Sequence, residues 1–424
     1  MIERKKYLSK IKKDLSKKEN ILFLIGARQV GKTTLLKSLL EFGYISKEET
    51  LFLQGDSLVS FGIKNFDDLV SFIKNQISLE KLKYLIIDEA QYIYNIGLIL
   101  KVLIDKIRLW ELNFKVIVSG SGYLNIFRWM TDSLIWRKTI VKVYPLDWEE
   151  FLIFKWEKSL YWLETRRIEY YEKFFSEYVL FGSYPKVVLT DNPNEKYEIL
   201  YQIWQDYLYK DIALFLKEKE IMKFQEFLRL VASKVCSKIN VSQLVDELWI
   251  KRYVFEKFFF LIENTFLLEK IEWFVGGKVS KETKKYYKIY FNDIGILRYL
   301  LGVWNWVGDL KWKVVENFVF NWLNVNKESW HKLMYWNTGG GAEVDFVLQN
   351  QIDFGLVPIE VKTLDKDNFG KSYINFFKYY GESIKYGIIT TKSLIKVREL
   401  EWKQIWFLSY KLIHNLKDFD NFSF

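Results

Sequence analysis

The sequence predicts an α/β protein that begins with a doubly wound parallel sheet, and three observations support this. An apolar run at residues 21–25 leads into a glycine-rich segment, 26–33, and then into a helical run, 34–42. A second apolar run, 84–87, ends in two acids, and a third, 115–118, ends in small polar residues. Buried strands alternating with helices are typical of a parallel sheet, which binds ligands at the carboxyl ends of its strands.

The segment 26–33 reads G-x-x-x-x-G-K-T and predicts a phosphate-binding loop, because it lies between a strand and a helix. Lys32 is expected to reach the β and γ phosphates, and Thr33 to offer its hydroxyl to Mg²⁺. The alternative is a chance glycine-rich turn. The sequence therefore predicts ATP and Mg²⁺ as cofactors, with a nucleotide-contacting set of Gly26, Ala27, Arg28, Gln29, Val30, Gly31, Lys32, Thr33, Thr34 and Ser119.

The elements that follow complete the predicted sheet. We expect a strand at 50–53, helices at 67–77 and 96–110, and a strand at 115–121 between the two motif strands. Asp88 is expected to hold Mg²⁺, and Glu89 to orient or deprotonate the attacking water. Ser119 and Ser121 are candidates for sensing the γ-phosphate.

Composition limits the function classes further. The chain has 424 residues, one cysteine and two histidines, which argues against disulfides, a His-rich metal site and Ser-His-Asp catalysis. No apolar run reaches the length of a membrane span, and we expect a cytoplasmic protein without a membrane partner. The net charge of +10 predicts a nucleic-acid partner, DNA or RNA, or else reflects a codon bias toward lysine.

Five segments in order, GARQVGKTTLL, YLIIDEAQYI, VIVSGSGYL, VYPLDWEEFL and YVLFGSYPKVV, resemble one AAA+ ATPase family of bacteria and archaea. Its members join a P-loop ATPase, a helical and winged-helix part, and a C-terminal domain related to PD-(D/E)XK nucleases. The resemblance implies four parts: an AAA+ core at 1–147, a helical lid or linker at 148–215, a winged-helix-like part at 216–280 and a restriction-nuclease-like α/β domain at 281–424.

The resemblance also implies a role for Arg137, which follows the sensor strand. It would act as an arginine finger or sensor, in cis or from a neighbouring subunit, and the latter requires a homo-oligomer. The alternative is an ordinary surface or helix-end arginine.

The middle of the chain has helix-turn-helix spacing, with helices expected at 241–248 and 252–264. A DNA-binding interpretation places Lys251, Arg252 and Lys257 on phosphates. Three consecutive phenylalanines, 258–260, favour the alternative, a packing or partner-binding module.

A second candidate site lies in the C-terminal part. Glu316 opens a predicted helix, Asp345 lies on a strand at 343–348, and Glu360 and Lys362 share one face of a strand at 357–362. Three carboxylates suit Mg²⁺, with Glu316, Asp345 and Glu360 as ligands, while Glu360 and Lys362 would take part in phosphodiester hydrolysis and Lys362 would position water. The alternative is a nuclease-like fold that does not cut.

The chain has 17 tryptophans and only 21 glycines, whereas glycine at its usual frequency would number about thirty. Trp136 and Trp249 stand where the family often has glycine, and Trp312 stands near such a position. One hypothesis is that a reassigned stop codon, read as glycine by the source organism, has been translated as tryptophan. The other is genuine tryptophan in exposed or packing positions.

The sequence thus predicts a Mg²⁺-dependent ATPase coupled to a nuclease-like domain that acts on nucleic acid. The first alternative is a nucleotide-dependent switch or interaction protein whose C-terminal domain cuts nothing. A third is a transcription regulator that uses the helix-turn-helix segment.

Overall fold

The computed structural model describes residues 2–60, 62–121, 137–155, 168–276, 286–303, 309–338 and 341–418. The chain divides into two compact units. The first comprises residues 1–145, 205–215 and 264–266, and the second comprises 146–204, 216–263 and 267–424. None of the helices in the described ranges combines the length and apolarity that a membrane span requires.

The first unit contains a five-stranded parallel sheet with strand order β2-β3-β4-β1-β5. The predicted position of the sensor strand, between the two motif strands, is confirmed. Every residue of β1 and β4 is buried, which explains why both read as continuous apolar runs. The strands are β1 Ile21–Gly26, β2 Thr50–Gln54, β3 Tyr84–Asp88, β4 Lys115–Ser121 and β5 Lys138–Lys142.

Helices accompany this sheet, and the predicted helices after the phosphate loop and before β3 and β4 are all present. A short helix at Gly55–Ser60 was not expected. The α-helices of the first unit, in chain order, are α1 Lys5–Leu15, α2 Lys32–Glu41, α3 Gly55–Ser60, α4 Phe66–Gln76 and α5 Ile96–Arg108.

A buried ion pair ties the N-terminal helix to the sheet. The Lys115 ammonium is fully buried and donates to Asp14 Oδ2 at 2.7 Å and to Asn20 Oδ1 at 2.6 Å. It also donates to the carbonyls of Lys17 and Asn20. The lysine-rich segment 4–18 is thus anchored through Asp14, the single acid within it.

The second unit contains an eight-stranded mixed sheet of order β12-β13-β11-β10-β9-β8-β6-β7. The predicted boundary at 280 falls between β6 and β7, which pair antiparallel, so both predicted parts contribute to one sheet. The strands are β6 Leu268–Trp273, β7 Tyr287–Phe291, β8 His331–Asn337, β9 Glu343–Asn350, β10 Leu356–Val361, β11 Gly387–Thr391, β12 Lys396–Leu400 and β13 Lys403–Ser409.

Aromatic packing explains why residues 146–204 group with the C-terminal part. The Trp148 ring lies 5.4 Å from Phe318 and 5.6 Å from Tyr178, and its indole donates to the Lys411 carbonyl at 2.7 Å. The helices of the second unit are α6 Trp148–Phe154, α7 Ile168–Phe181, α8 Pro185–Leu189, α9 Pro193–Asp206 (whose last two residues belong to the first unit), α10 Glu218–Ser233, α11 Val241–Glu247, α12 Arg252–Asn264 (whose last residue belongs to the first unit), α13 Ile294–Leu301, α14 Asp309–Asn326 and α15 Lys371–Tyr380.

The predicted helix pair in the middle of the chain is present as α11 and α12. The second helix buries Phe255, Phe258 and Phe259. Lys257 donates to Glu220 at 2.9 Å, and Arg252 donates to Glu256 at 3.0 Å. The buried phenylalanines favour the packing interpretation, and two of the three basic side chains of the DNA-binding interpretation already have acidic partners.

Within the described ranges, three tryptophans occupy left-handed backbone that favours glycine. Trp110 has φ 62°, Trp249 has φ 51° and Trp402 has φ 65°, and they are 82%, 92% and 95% exposed. Trp249 therefore fits the glycine hypothesis. Trp312 lies in the helix Asp309–Asn326, where no glycine is required, and Trp136 lies outside the described residues.

Candidate functional site

The phosphate-binding loop connects the fully buried strand β1 to helix α2. Gly31 forms the N-cap of α2 with φ 93°, a conformation that side chains disfavour. Gly26 has a different constraint, because a Cβ there would lie 2.1 Å from the Val143 carbonyl oxygen. The first glycine is thus required by its neighbouring chain, and only the second by its backbone angle.

Lys32 is almost fully buried at the start of α2. Its ammonium donates to the Ala27 carbonyl at 2.8 Å and the Gly26 carbonyl at 3.1 Å. Burial lowers the pKa of Lys32, while Glu89, Asp211 and Asp88 oppose that shift. The cation is thus held over the loop by neutral carbonyls, with three carboxylates in its surroundings.

The carboxylate of Asp88, at the end of β3, accepts hydrogen bonds from the start of helix α2 and from the sensor strand β4. Thr33 donates its hydroxyl to Asp88 Oδ2 at 2.6 Å, and the Ser119 hydroxyl donates to Asp88 Oδ1. Hydroxyl and carboxylate oxygens are the ligands that Mg²⁺ prefers, so the donor set of Thr33 and Asp88 fits this ion.

Glu89 follows Asp88 in left-handed backbone with φ 50°. Its amide donates to Ser119 Oγ at 3.2 Å, and its carboxylate accepts from the Gln91 side chain. Gln91 also donates to Ser121 Oγ at 3.0 Å. Both predicted sensor serines therefore contact this acidic turn, Ser119 directly and Ser121 through Gln91.

The remaining loop residues have mixed surroundings. Val30 is fully buried, and its carbonyl accepts from the Arg4 guanidinium at 2.8 Å. Thr34 is exposed, and its carbonyl accepts from Ser38 at 2.8 Å. The Val30 side chain therefore faces the protein interior, and Arg4 braces the loop from the N-terminal helix side.

Two loop side chains are bonded to a segment that the sequence did not connect with this site. Arg28 donates from Nε to Asp211 Oδ1 at 2.7 Å, and Gln29 donates to Asp206 Oδ2 at 3.2 Å. Burial raises the pKa of Asp211, and Arg28 opposes that shift. Burial lowers the pKa of Arg28, but Asp211 and Tyr92 outweigh it and raise the value. No signal within the motif pointed to these acids, which are about 180 residues away in sequence.

Arg137 is paired with Asp105 of helix α5, and its side chain is 27% exposed. Its backbone carbonyl accepts from the Ile21 amide at 2.9 Å, at the start of β1. This guanidinium thus pairs with an acid of α5, and the role of Arg137 as an arginine finger or sensor stays a prediction.

The C-terminal candidate site is built around a residue that the sequence analysis did not assign to it. The Lys288 ammonium is buried and contacts Glu316 Oε1 at 3.0 Å, Glu343 Oε1 at 2.5 Å and Asp345 Oδ1 at 3.9 Å. Tyr290, on the same face of β7, donates to Glu316 Oε1 at 2.7 Å. A lysine inside an otherwise apolar strand, residues 287–291, was the available signal.

Charge interactions in this cluster are strong. Burial lowers the pKa of Lys288, but the carboxylates of Glu316, Asp345 and Glu343 outweigh it and raise the value. Burial raises the pKa of Glu316 to about 8, with Lys288 opposing. The pKa values of Lys288 and Glu316 both therefore lie above their ordinary values, since pairing outweighs burial for the lysine and burial outweighs pairing for the acid.

The other predicted residues lie nearby with separate partners. Asp345 Oδ2 accepts from the Val361 amide at 2.7 Å, and Lys362 donates to the Asn368 carbonyl. Burial and the charge of Asp345 raise the pKa of Glu360. Three predicted acids thus converge electrostatically, and Lys362 turns its ammonium to a loop carbonyl.

The Lys288 ammonium already contacts two of the three predicted metal ligands, Glu316 and Asp345, and supplies positive charge to them. Within the described ranges no group of three or more His, Cys, Asp or Glu side chains is arranged to hold a metal ion. The predicted metal-binding role of Glu316, Asp345 and Glu360 therefore gains no support from the geometry.

Three protein-family models match separate parts of the chain. Residues 18–152 match the family described as an AAA domain. Residues 172–306 and 313–411 each match a family described as a domain of unknown function, DUF8612 and DUF4143 respectively. The N-terminal match indicates an AAA-type nucleotide-binding domain, and the C-terminal matches name no activity.

Relatives are found in distant organisms. An uncharacterized protein of Haemophilus influenzae is 27% identical over 313 residues, covering 71% of this chain and 74% of the relative. The uncharacterized protein MJ1544 of Methanocaldococcus jannaschii is 24% identical over 347 residues, covering 77% and 72% respectively.

Solved structures with similarity include the AMPPCP-bound replication initiator DnaA from Aquifex aeolicus, at 14% identity and a TM-score of 0.31 over 62% of this chain and 89% of that one. The ORC1 protein of Aeropyrum pernix in complex with DNA has 9% identity and a TM-score of 0.31 over 71% and 92% respectively. The family match over residues 18–152 and the parallel sheet around the loop 26–33 together indicate an AAA-type P-loop domain in the N-terminal part of the chain.

Proposed function

We propose that the protein is an ATPase that binds ATP with Mg²⁺ at the loop 26–33 and hydrolyses it. The observation that carries this is the continuous contact from Thr33 through Asp88 to Ser119, which joins the phosphate loop to both acidic and sensor strands. Lys32 and Glu89 flank this chain of contacts.

Each residue has a role that follows from its surroundings. Lys32 exchanges two neutral carbonyl partners for phosphate oxygens, so its binding to phosphate breaks no ion pair. Thr33 and Asp88 would hold Mg²⁺, which screens phosphate charge when bound. Glu89, held by Gln91, accepts a proton from the attacking water, and Ser119 orients the acidic turn.

The test measures nucleotide binding and phosphate release by the full chain. We expect Lys32→Ala to abolish hydrolysis, and Glu89→Gln to retain ATP binding while losing turnover. Lys37→Ala is the matched control, because Lys37 is exposed on the same helix. Continued hydrolysis by Lys32→Ala, or loss of binding by Lys37→Ala, would overturn the assignment.

For the C-terminal domain we propose a role in binding a partner, under the control of the nucleotide, without cleavage. Lys288 among Glu316, Glu343 and Asp345 favours this over the nuclease predicted from Glu360 and Lys362. An internal ammonium supplies the positive charge but offers no open coordination position for phosphate or water.

The nuclease alternative is tested by incubating the protein with Mg²⁺ or Mn²⁺ and single- and double-stranded DNA and RNA. Our proposal expects intact nucleic acid. Cleavage that disappears in both Glu360→Ala and Lys362→Ala would establish the nuclease instead. Cleavage that survives both changes would indicate a contaminant.

A further inference from the structure

We propose that Asp211 is a positioning residue that holds Arg28 away from nucleotide, and that the phosphates of bound ATP take Arg28 from it. The inference rests on the proposed ATP site and deepens it. Arg28 would thus contact phosphate, while Asp211 acts only through Arg28.

Arg28 and Asp211 form a largely buried ion pair at the phosphate loop. Arg28 lies in the middle of this loop, and its Nε donates to Asp211 Oδ1 at 2.7 Å. The side chains are 20% and 7% exposed, so the pair is largely removed from water. A charge-assisted bond in such surroundings fixes the guanidinium far better than an exposed pair would.

The phosphate loop has more negative charge around it than the proposed hydrolysis uses. Lys32, the cation that must meet the phosphates, is influenced by Glu89, Asp211 and Asp88 as well as by Arg28. Only the two acids at the end of β3 have roles in the proposed hydrolysis. Asp211 is an additional buried negative charge that repels an incoming triphosphate. It also pairs with Arg28, which together with Lys32 could otherwise contact the phosphates.

The segment that carries Asp211 has an uncommon backbone conformation. Residues Tyr207–Ile212 form a π-helix that continues directly from the α-helix Pro193–Asp206. Single π-helical turns are uncommon and are frequent at functional sites. Residues 205–215 belong to the first unit, whereas the chain on either side, 146–204 and 216–263, belongs to the second. Release of Asp211 would therefore act on the chain that links the two units.

A neighbouring contact supplies the control. Asp206 Oδ2 accepts from Gln29 at 3.2 Å, and Asp206 Oδ1 lies 2.8 Å from the Lys210 ammonium. This acid also touches the loop, but its loop partner is neutral and a lysine balances its charge. Asp206→Asn should therefore alter ATP affinity by less than about twofold.

The experiment measures the dissociation constants of Mg²⁺–ATP and of adenosine for the full-length protein by calorimetry. We expect Asp211→Asn to tighten ATP binding about tenfold, a change equivalent to one buried charge interaction of moderate strength. Adenosine binding should not change, because it lacks phosphates. Arg28→Gln should weaken ATP binding, and adding Asp211→Asn to it should give no further tightening.

A residue needed only for folding would not tighten binding when altered, so the direction of the change is diagnostic. Unchanged or weaker ATP binding by Asp211→Asn overturns the inference, as does tightening that persists beside Arg28→Gln. Equal ATP binding by wild type and Lys32→Ala would instead overturn the proposed site, and the inference with it. If Lys32→Ala binds ATP more weakly than wild type while Asp211→Asn does not bind it more tightly, the ATP site stands and only the inference about Asp211 fails.

Discussion

The Lys288 ammonium offers a direct test of how the C-terminal cluster is built. Lys288 and Glu316 are 1% and 2% exposed in their side chains, and they lie 3.0 Å apart. Lys288→Met keeps the length and the apolar stem but removes the charge. Loss of one partner of a buried pair costs about 3–5 kcal/mol, because the remaining charge stays buried without compensation. We expect the free energy of unfolding of the second unit to fall by that amount.

Urea unfolding of the full chain measures the loss, and hydrogen exchange of Tyr287–Phe291 assigns it to the second unit. Lys332→Met is the matched control. Its ammonium also meets a carboxylate, Glu272 at 2.7 Å, but both side chains are about half exposed. Such a pair is worth about 0–1 kcal/mol, so the control should stay close to wild type.

Addition of Mn²⁺ sharpens this test. If Lys288 occupies the place of a metal ion, Mn²⁺ should leave the wild-type midpoint unchanged and raise that of Lys288→Met, since a ligand stabilises the state that binds it. A loss below about 1 kcal/mol in the free energy of unfolding of Lys288→Met would refute the buried ion pairing of Lys288 with its carboxylates. An Mn²⁺-dependent rise in the wild-type midpoint would refute the argument that the ammonium excludes a metal.

Three further predictions concern turns and buried acids. Gly182→Ala should lower the free energy of unfolding by about 2 kcal/mol or more, because φ is 75° and the new Cβ would lie 2.3 Å from Asp293 Oδ1. A thermal midpoint equal to that of wild type would contradict this. Burial raises the pKa of Asp293 from 3.8 to about 6, so its contribution to stability is present below the lower value and is lost as pH rises through the upper one. Asp293→Asn should lack that loss in urea titrations across this range, and a parallel pH profile would count against it. Trp249→Gly should stabilise by about 0.5–1 kcal/mol, since it relieves left-handed strain and exposes nothing; a lowered midpoint, or an ordinary tryptophan codon in the gene, would weigh against the glycine hypothesis.

The N-terminal sheet could be predicted because its signals are local. The strands β1, β3 and β4 each contain a short apolar run, with the candidate functional residues at or just after its carboxyl end, whereas β5, which begins and ends with lysine, was not predicted. The spacing of Lys32, Asp88 and Ser119 therefore placed them together correctly. The same local logic found helices α11 and α12, whose boundaries differ from the prediction by one residue or none.

The contacts missed by sequence reasoning join residues that are far apart along the chain. Arg28 and Asp211 are separated by 183 positions, and the acid belongs to no motif. Trp148 is the first residue of the predicted lid or linker, yet its indole donates to the Lys411 carbonyl. Contacts of this kind depend on how distant segments pack against each other in the folded chain. The hydrophobic periodicity of one segment does not specify which other segment it packs against.

Two buried lysines show why one site is open to a ligand and the other is not. Lys32 rests on the Gly26 and Ala27 carbonyls, which are neutral, and its pKa is lowered by burial. Phosphate oxygens replace such partners with a gain in charge pairing. Lys288 is bonded to carboxylates, which raise its pKa, so any anion that approached it would have to displace an existing ion pair. The chemistry of the partners, more than the burial they share, makes the first lysine a binding group and the second a part of the structure.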